Sequence, residues 1–439
     1  MSTSSPVRLL CPLDALELER VPSGRDGLAV HFCGRHEYPE VCGIPVLLDT
    51  PAARAALEAA RAGDAAAARA ELLAPGRWGR SDTLARIADR ISGAPRFSAL
   101  VRARRVARFR RRHGDGPFRS YREALAALLL EPPSPQPASF HYFFNRPSDP
   151  TFLVAEAVTS GVPDSGEVLD LCCGSGQVTR ILARAQGRRI TGLDESFALL
   201  YLARTHLAPG ARLVCARADR PLPFPSGSFD AAVCSDALHD TGEPALLARE
   251  ILRVLDAAGT AFVVHLHNPA FEHLYRGRNP LAPAGYAAIF EAGQPRLLDE
   301  RALLDSWLER REVDLSASRP PQDLVGARTL TLLAGATHAD RLHRPPPIAP
   351  VHLVLNPLYH AHPEADGLSL HRVWPSPDYP REYPEAGAYL PERAQLGPAE
   401  LGGLRENRLA AEAVELFRRR VILDLPEGYG AERPWDLRA

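Results

Sequence analysis

Between positions 139 and 338, short apolar runs alternate with stretches of helical period. The runs at 168–172, 189–193, 212–215, 231–234 and 260–266 read as strands, and 177–185, 197–206 and 244–255 read as helices between them. That alternation predicts βαβ units and a parallel sheet. "RALLDSWLERR" reads as a further helix, and "REVDLSAS" and "ARTLTLLAG" as two more strands.

Upstream the texture differs. Residues 1–50 are turn-rich and end in "GIPVLLDT". From Pro51 to about Leu130 the chain is rich in Ala, Leu, Glu and Arg, which are strong helix formers. "SDTLARIADRI" carries an N-cap serine at Ser81, and a basic helix ending at Gly114 follows. "EPPSPQPAS" is a Pro-rich linker. After about His338, Pro and Gly rise again and predict irregular structure, relieved by one helix in "AELGGLRENRLAAEAVELFRRRVI". Four regions are therefore expected: 1–50, 51–138, 139–338 and 339–439.

Composition narrows the picture. The 439 residues suit two to four domains, at roughly 100–200 residues each. No run of about 20 uninterrupted apolar residues is present, so no membrane span is expected. Seven cysteines, an odd number in a long chain without a signal-like start, predict reduced thiols and a cytoplasmic protein. Net charge is −1, so charge alone points to no polyanionic partner.

Candidate chemistry begins at "EVLDLCCGSGQVTRILARA". A buried parallel strand should read as a continuous apolar run, yet Asp170 interrupts this one near its end. A buried carboxylate is costly unless it is hydrogen-bonded, so Asp170 is expected to orient the loop that follows. Gly174 and Gly176 permit positive φ and a close ligand approach, and backbone N–H groups at the start of the next helix face the ligand. The dinucleotide fingerprint needs a third glycine, but Thr179 follows instead. Asp194 ends the next strand, where an acid suits two ribose hydroxyls.

These motifs, with "ARADRPLPFPSGSFDAAVCSDALHD" and "LAREILRVLDAAGTAFVVH", resemble the class I S-adenosylmethionine-dependent methyltransferases over about residues 139–338. The resemblance implies a Rossmann-like α/β sheet with helices on both faces. It implies S-adenosylmethionine as cofactor, bound by Asp170, Cys172, Gly174, Gly176, Asp194, Glu195, Asp219, Arg220 and Ser235. Cys172 stands where many members carry glycine, as in quinone-type C-methyltransferases with Cys-Cys-Gly. "DAAG" stands where Pro-Gly-Gly is commoner.

Methyl transfer needs alignment and, for a hydroxyl or carbon acid, a base. Candidate bases follow the fourth and fifth strands: Asp236, His239, Asp240, His265 and His267, with His239 and His265 favoured. "FHYFFNRPSDP" offers aromatics to cover the cofactor or shape an acceptor pocket. Tyr275, Tyr286 and Phe290 are lining candidates from a lid-like insert.

The first segment resembles a small zinc-ribbon-like domain fused to, or partnering, some methyltransferases, on Cys11-Pro12, Cys33-Gly34, Tyr38-Pro39 and "GIPVLL". The standard site needs two Cys-x-x-Cys pairs. Here Cys11 is paired with Asp14, and Val30 stands where Cys33 needs a thiol, so two thiols are lost. His31, His36 or Cys42 could compensate at non-standard spacing, and the expectation is a degenerate, metal-free segment. The arginines from 102 to 112 fit either a polyanion such as RNA or a solvated helix face. The expected function is methylation of a small-molecule acceptor, with RNA or protein methylation and a non-catalytic cofactor-binding scaffold as alternatives.

Overall fold

The computed structural model describes residues 8–23, 27–74, 96–129, 137–271, 277–336, 341–344 and 350–436. Ser81 and Tyr275 lie outside them. A four-stranded antiparallel sheet comes first: β1 (Glu19–Pro22), β2 (Leu28–Phe32), β3 (Glu37–Val41) and β4 (Ile44–Pro45). Helices Pro51–Arg61 and Ala65–Leu73 pack beside it, each N-capped by its preceding side chain, Thr50 and Asp64. Helices Arg96–His113, Tyr121–Leu129 and Pro137–Asn145 follow.

The central sheet uses β5 (Ser165–Leu171), β6 (Gly187–Asp194), β7 (Arg212–Cys215), β8 (Phe229–Ser235), β9 (Leu255–His267) and β10 (Arg296–Asp299). A short β11 (Val313–Asp314) lies outside it, and β12 (Thr329–Gly335) completes it. The order is β10-β12-β9-β8-β5-β6-β7. The five strands from β9 to β7 are parallel, and β12 runs antiparallel between β9 and β10. Val168, Leu169, Leu171, Ala231, Val233 and Phe262 are buried, as the apolar runs require. The chain reverses direction across the sheet at β5 and β8, so their carboxyl ends leave a crevice between them.

The terminal parts are tied to this sheet. Val46 bridges Cys215 in parallel, and the Leu47 N–H donates to the Cys215 carbonyl at 2.7 Å, so the first sheet's end covers the β7 edge. The region expected to be irregular contains β13 (Leu342–His343), β14 (Leu353–Leu355), β15 (Tyr359–Glu364), β16 (Gly367–Arg372), β17 (Arg393–Leu396) and β18 (Ile422–Asp424). Strands β15, β16 and β17 form an antiparallel sheet, and β14 pairs with β18. The single helix expected near the end is two, Pro398–Arg405 and Ala411–Arg418, separated at Asn407, whose φ is 53°.

One pairing differs from the sequence reading. Val30 lies inside β2, opposite Val21 and Pro39. Cys33 instead shares a turn with His36, because Phe32 pairs with Glu37 and Gly34 takes φ +89° between them. His31 is engaged elsewhere, 2.8 Å from the Glu40 carboxylate.

Candidate active site

A cavity of about 300 Å³ opens at the carboxyl ends of β5, β6 and β8. Its size falls at the lower end of small-molecule sites. One end is built from consecutive motif residues. Asp170 is buried, and the Thr179 hydroxyl donates to its carboxylate at 2.6 Å. That contact gives the position after Gly174 and Gly176 its role: the helix Gln177–Leu182 is hooked back to the strand. Burial pushes the Asp170 carboxyl up to about 7, against the hydrogen bonds from Thr179.

Between strand and helix, Cys172, Gly174 and Gly176 all have positive φ, at 55°, 55° and 86°. A Cβ at Gly176 would lie 2.8 Å from the Ala203 methyl, so glycine is required there by conformation and by space. Asp194 closes the loop from the side. One carboxylate oxygen accepts the Gly174 N–H at 2.9 Å and the other the Ser196 N–H at 2.8 Å. Burial raises its pKa to about 6. Glu195 is exposed and lines the cavity. Asp219 lines it too, held by the Arg217 guanidinium with one contact at 2.7 Å. Ser235 ends β8 at the cavity wall, its hydroxyl buried without a hydrogen-bond partner. Arg220 lines a neighbouring cavity of about 600 Å³, with Pro12, Leu13, Glu195 and Arg217.

The other end is built around Asp236, whose φ is 56°. The Tyr142 hydroxyl donates to it at 2.9 Å, and Arg146 pairs with the same oxygen at 3.0 Å. Its second oxygen is 3.6 Å from His239 Nε2 and 4.0 Å from His267 Nε2. Burial alone would raise the Asp236 pKa, but Arg146 and the three imidazoles outweigh it and hold it well below the carboxylate range. Asp236 is therefore a permanent anion at neutral pH. Tyr142, Arg146, Asp236 and Asp240 all face the cavity.

His239 and His265 do not line it. His239 is buried behind Asp236, stacked on His267 at 4.0 Å, and Gly277 packs too closely on it to carry a Cβ. Burial lowers the His239 pKa, against the pull of Asp236. His265 Nδ1 lies 2.9 Å from the buried Glu300 carboxylate, and its Nε2 lies 3.2 Å from the Thr151 hydroxyl. Burial opposes protonation of His265, but Asp236 and Glu300 raise its pKa overall. Asp236, His265 and His267 bring ligand-type atoms within 4.8 Å, but Arg146 already compensates the carboxylate there. Tyr286 and Phe290, expected to line an acceptor pocket, are fully buried, and Tyr286 donates to the His267 carbonyl at 2.9 Å. Arg146 and Arg217 were not legible as site residues. Their one sequence signal is an arginine beside an acid needed for a cap or loop.

The strand order is that of a Rossmann-like α/β sheet, the fold expected of a class I methyltransferase domain. Residues 169–263 match the family model described as "Methyltransferase domain". Over 116 residues the chain is 34% identical to a 2-phytyl-1,4-naphtoquinone methyltransferase of Synechococcus elongatus, covering 25% of this chain and 50% of that protein. Over 138 residues it is 33% identical to a demethylmenaquinone methyltransferase of Clavibacter sepedonicus, covering 31% and 53%. The chain thus spans about half the length of these curated relatives. A solved TehB-like SAM-dependent methyltransferase of Corynebacterium glutamicum aligns with a TM-score of 0.32 at 18% identity, over 42% of this chain and 87% of that one. Among the described residues, no helix is long and apolar enough to cross a membrane.

Proposed function

We propose that this chain is an S-adenosylmethionine-dependent methyltransferase acting on a small-molecule acceptor. The observation that carries the reading is the two-ended cavity, with the Gly174–Asp194 loop at one end and Asp236 with Tyr142 and Arg146 at the other. Asp170, Cys172, Gly174, Asp194, Glu195, Asp219 and Ser235 would hold the cofactor, and all seven line the cavity. The unpaired Ser235 hydroxyl and the exposed Glu195 carboxylate leave polar capacity there for a ligand. Gly176 acts from behind, by letting the loop turn. When bound, the cofactor supplies an electrophilic methyl group on a sulfonium.

The chain's own residues then have distinct work. Phe143 and Tyr142 cover the loop and offer aromatic faces to a planar acceptor. Asp236 accepts a hydrogen bond from an acceptor hydroxyl and so orients it, and Arg146 keeps the carboxylate ionised. The quinone-ring substrates named for the relatives agree with an aromatic acceptor. RNA or protein methylation gains less support. The basic helix Arg96–His113 spends Arg102 on Glu71 and Arg110 on Asp115, and none of its arginines lines the cavity.

The test is to incubate the purified chain with labelled S-adenosylmethionine and hydroxylated naphthoquinones, phenols, RNA and protein extract. Label transfer to a small aromatic, with release of S-adenosylhomocysteine, is the expected result. Transfer only to RNA or protein would reverse the ranking, and binding without transfer to any acceptor would favour the scaffold reading.

A further inference from the structure

We propose that Cys11, Asp14, Cys33 and His36 form a structural zinc site. Two tight turns face each other in the first sheet. In one, the Leu10–Glu17 bridge closes the loop that carries Cys11-x-x-Asp14. In the other, the β2–β3 turn carries Cys33-x-x-His36, closed by the Cys33 N–H to the His36 carbonyl at 3.2 Å. The four side chains each bring one ligand atom within 4.8 Å of all the others.

The distances fit a common centre better than a hydrogen-bond network. His36 Nδ1 lies 3.2 Å from Asp14 Oδ2, 3.5 Å from Cys11 Sγ and 3.7 Å from Cys33 Sγ. One imidazole nitrogen carries either one proton or one lone pair, so it cannot serve three partners at once. Cys33 Sγ to Asp14 Oδ2 is 3.5 Å. Tetrahedral zinc, with bonds of about 2.3 Å to sulfur and about 2.0–2.2 Å to nitrogen or oxygen, requires ligand-to-ligand edges of about 3.3–3.8 Å. The four measured edges fall in or next to that range. Outer contacts suit thiolates: the His36 backbone N–H points at Cys33 Sγ at 3.4 Å, and the Tyr38 hydroxyl lies 3.4 Å from Cys11 Sγ. Two thiolates, an imidazole and a carboxylate close the coordination shell, which makes the site structural.

Its place gives it a purpose. The Leu10 N–H donates to the Pro223 carbonyl at 3.0 Å, and Pro12 and Leu13 share a cavity wall with Glu195, Arg217 and Arg220. Zinc would fasten this loop to the first sheet and so brace the rim beside the cofactor cavity.

The test is metal analysis of the full chain by plasma mass spectrometry, together with visible absorption after cobalt replacement. The expected result is one zinc per chain, a tetrahedral cobalt spectrum with thiolate charge-transfer bands, and loss of both in Cys33→Ser and His36→Ala. His36→Cys, which offers a third thiolate, should retain the metal and guards against variants that fail to fold. Metal-free wild-type protein that binds neither zinc nor cobalt would overturn the proposal. So would stoichiometric zinc retained by a folded Cys33→Ser/His36→Ala double variant.

Discussion

The two ends of the cavity are made by different means. The core of the end proposed for the cofactor comes from one loop and the strands beside it. Asp170 holds Thr179, and Asp194 holds the Gly174 N–H, all within 25 consecutive residues. The end proposed for the acceptor is assembled at long range. Tyr142 and Arg146 reach Asp236 from a segment about ninety residues earlier. That segment is braced by the C-terminal region: Tyr429 stacks on Phe144 at 5.3 Å and donates to its carbonyl at 2.7 Å, and Tyr389 donates to the Ser148 carbonyl at 2.7 Å. The first end thus rests on contacts close in sequence, whereas the second rests on distant contacts that the C-terminal region braces.

The largest effect should come from breaking the local end. Asp194→Ala removes two bonds from a carboxylate to backbone N–H groups. At about 1.5–3 kcal/mol each, cofactor affinity should fall about 100-fold or more, read by calorimetry. Gly176→Val should prevent the loop from forming, and circular dichroism with binding will show whether the fold survives. Next is Asp236→Asn, in which asparagine tolerates the φ of 56°. Turnover should fall about 100-fold with cofactor affinity unchanged; equal loss of both would merge the two ends into one.

Smaller effects sharpen the contrast. Tyr429→Phe deletes a buried hydroxyl bonded to Phe144 and Gln177, at a cost of about 1 kcal/mol. Thermal midpoint should drop by about 1 °C, and acceptor KM should rise more than cofactor Kd. A separate handle is pH dependence. The pKa of Asp170 is raised to about 7 in the native chain, against about 3.9 unfolded. The native state therefore holds the proton more tightly, and this group's stabilisation is complete below about pH 4 and lost as pH rises to about 7. Asp170→Asn should flatten that part of the denaturant-midpoint profile; an unchanged slope would remove Asp170 as its source.

What was legible follows the same division. Strands β5 to β9 matched their apolar runs to within a few residues, except that β9 starts earlier, at Leu255. Asp170, Asp194 and the glycines were readable because each needs a special residue type at fixed local spacing. Arg146 was not, because its partner Asp236 lies ninety positions away and no local rule links them. β15 and β16 were hidden by proline-rich texture, although Asp366-Gly367 beside their turn is a hairpin signal. His36 was readable as one of three residues able to replace a lost thiol, and the β2–β3 turn singles it out beside Cys33. Cys-x-x-Asp and Cys-x-x-His keep the spacing and change the ligand.

The most direct measurement is calorimetric titration of wild-type protein and Asp194→Ala with S-adenosylmethionine and S-adenosylhomocysteine. The account predicts micromolar binding of both by wild type, with one site per chain, and none by a folded Asp194→Ala variant. Absence of binding by wild type, or equal affinity in the variant, would contradict the assignment of this loop and cavity to the cofactor.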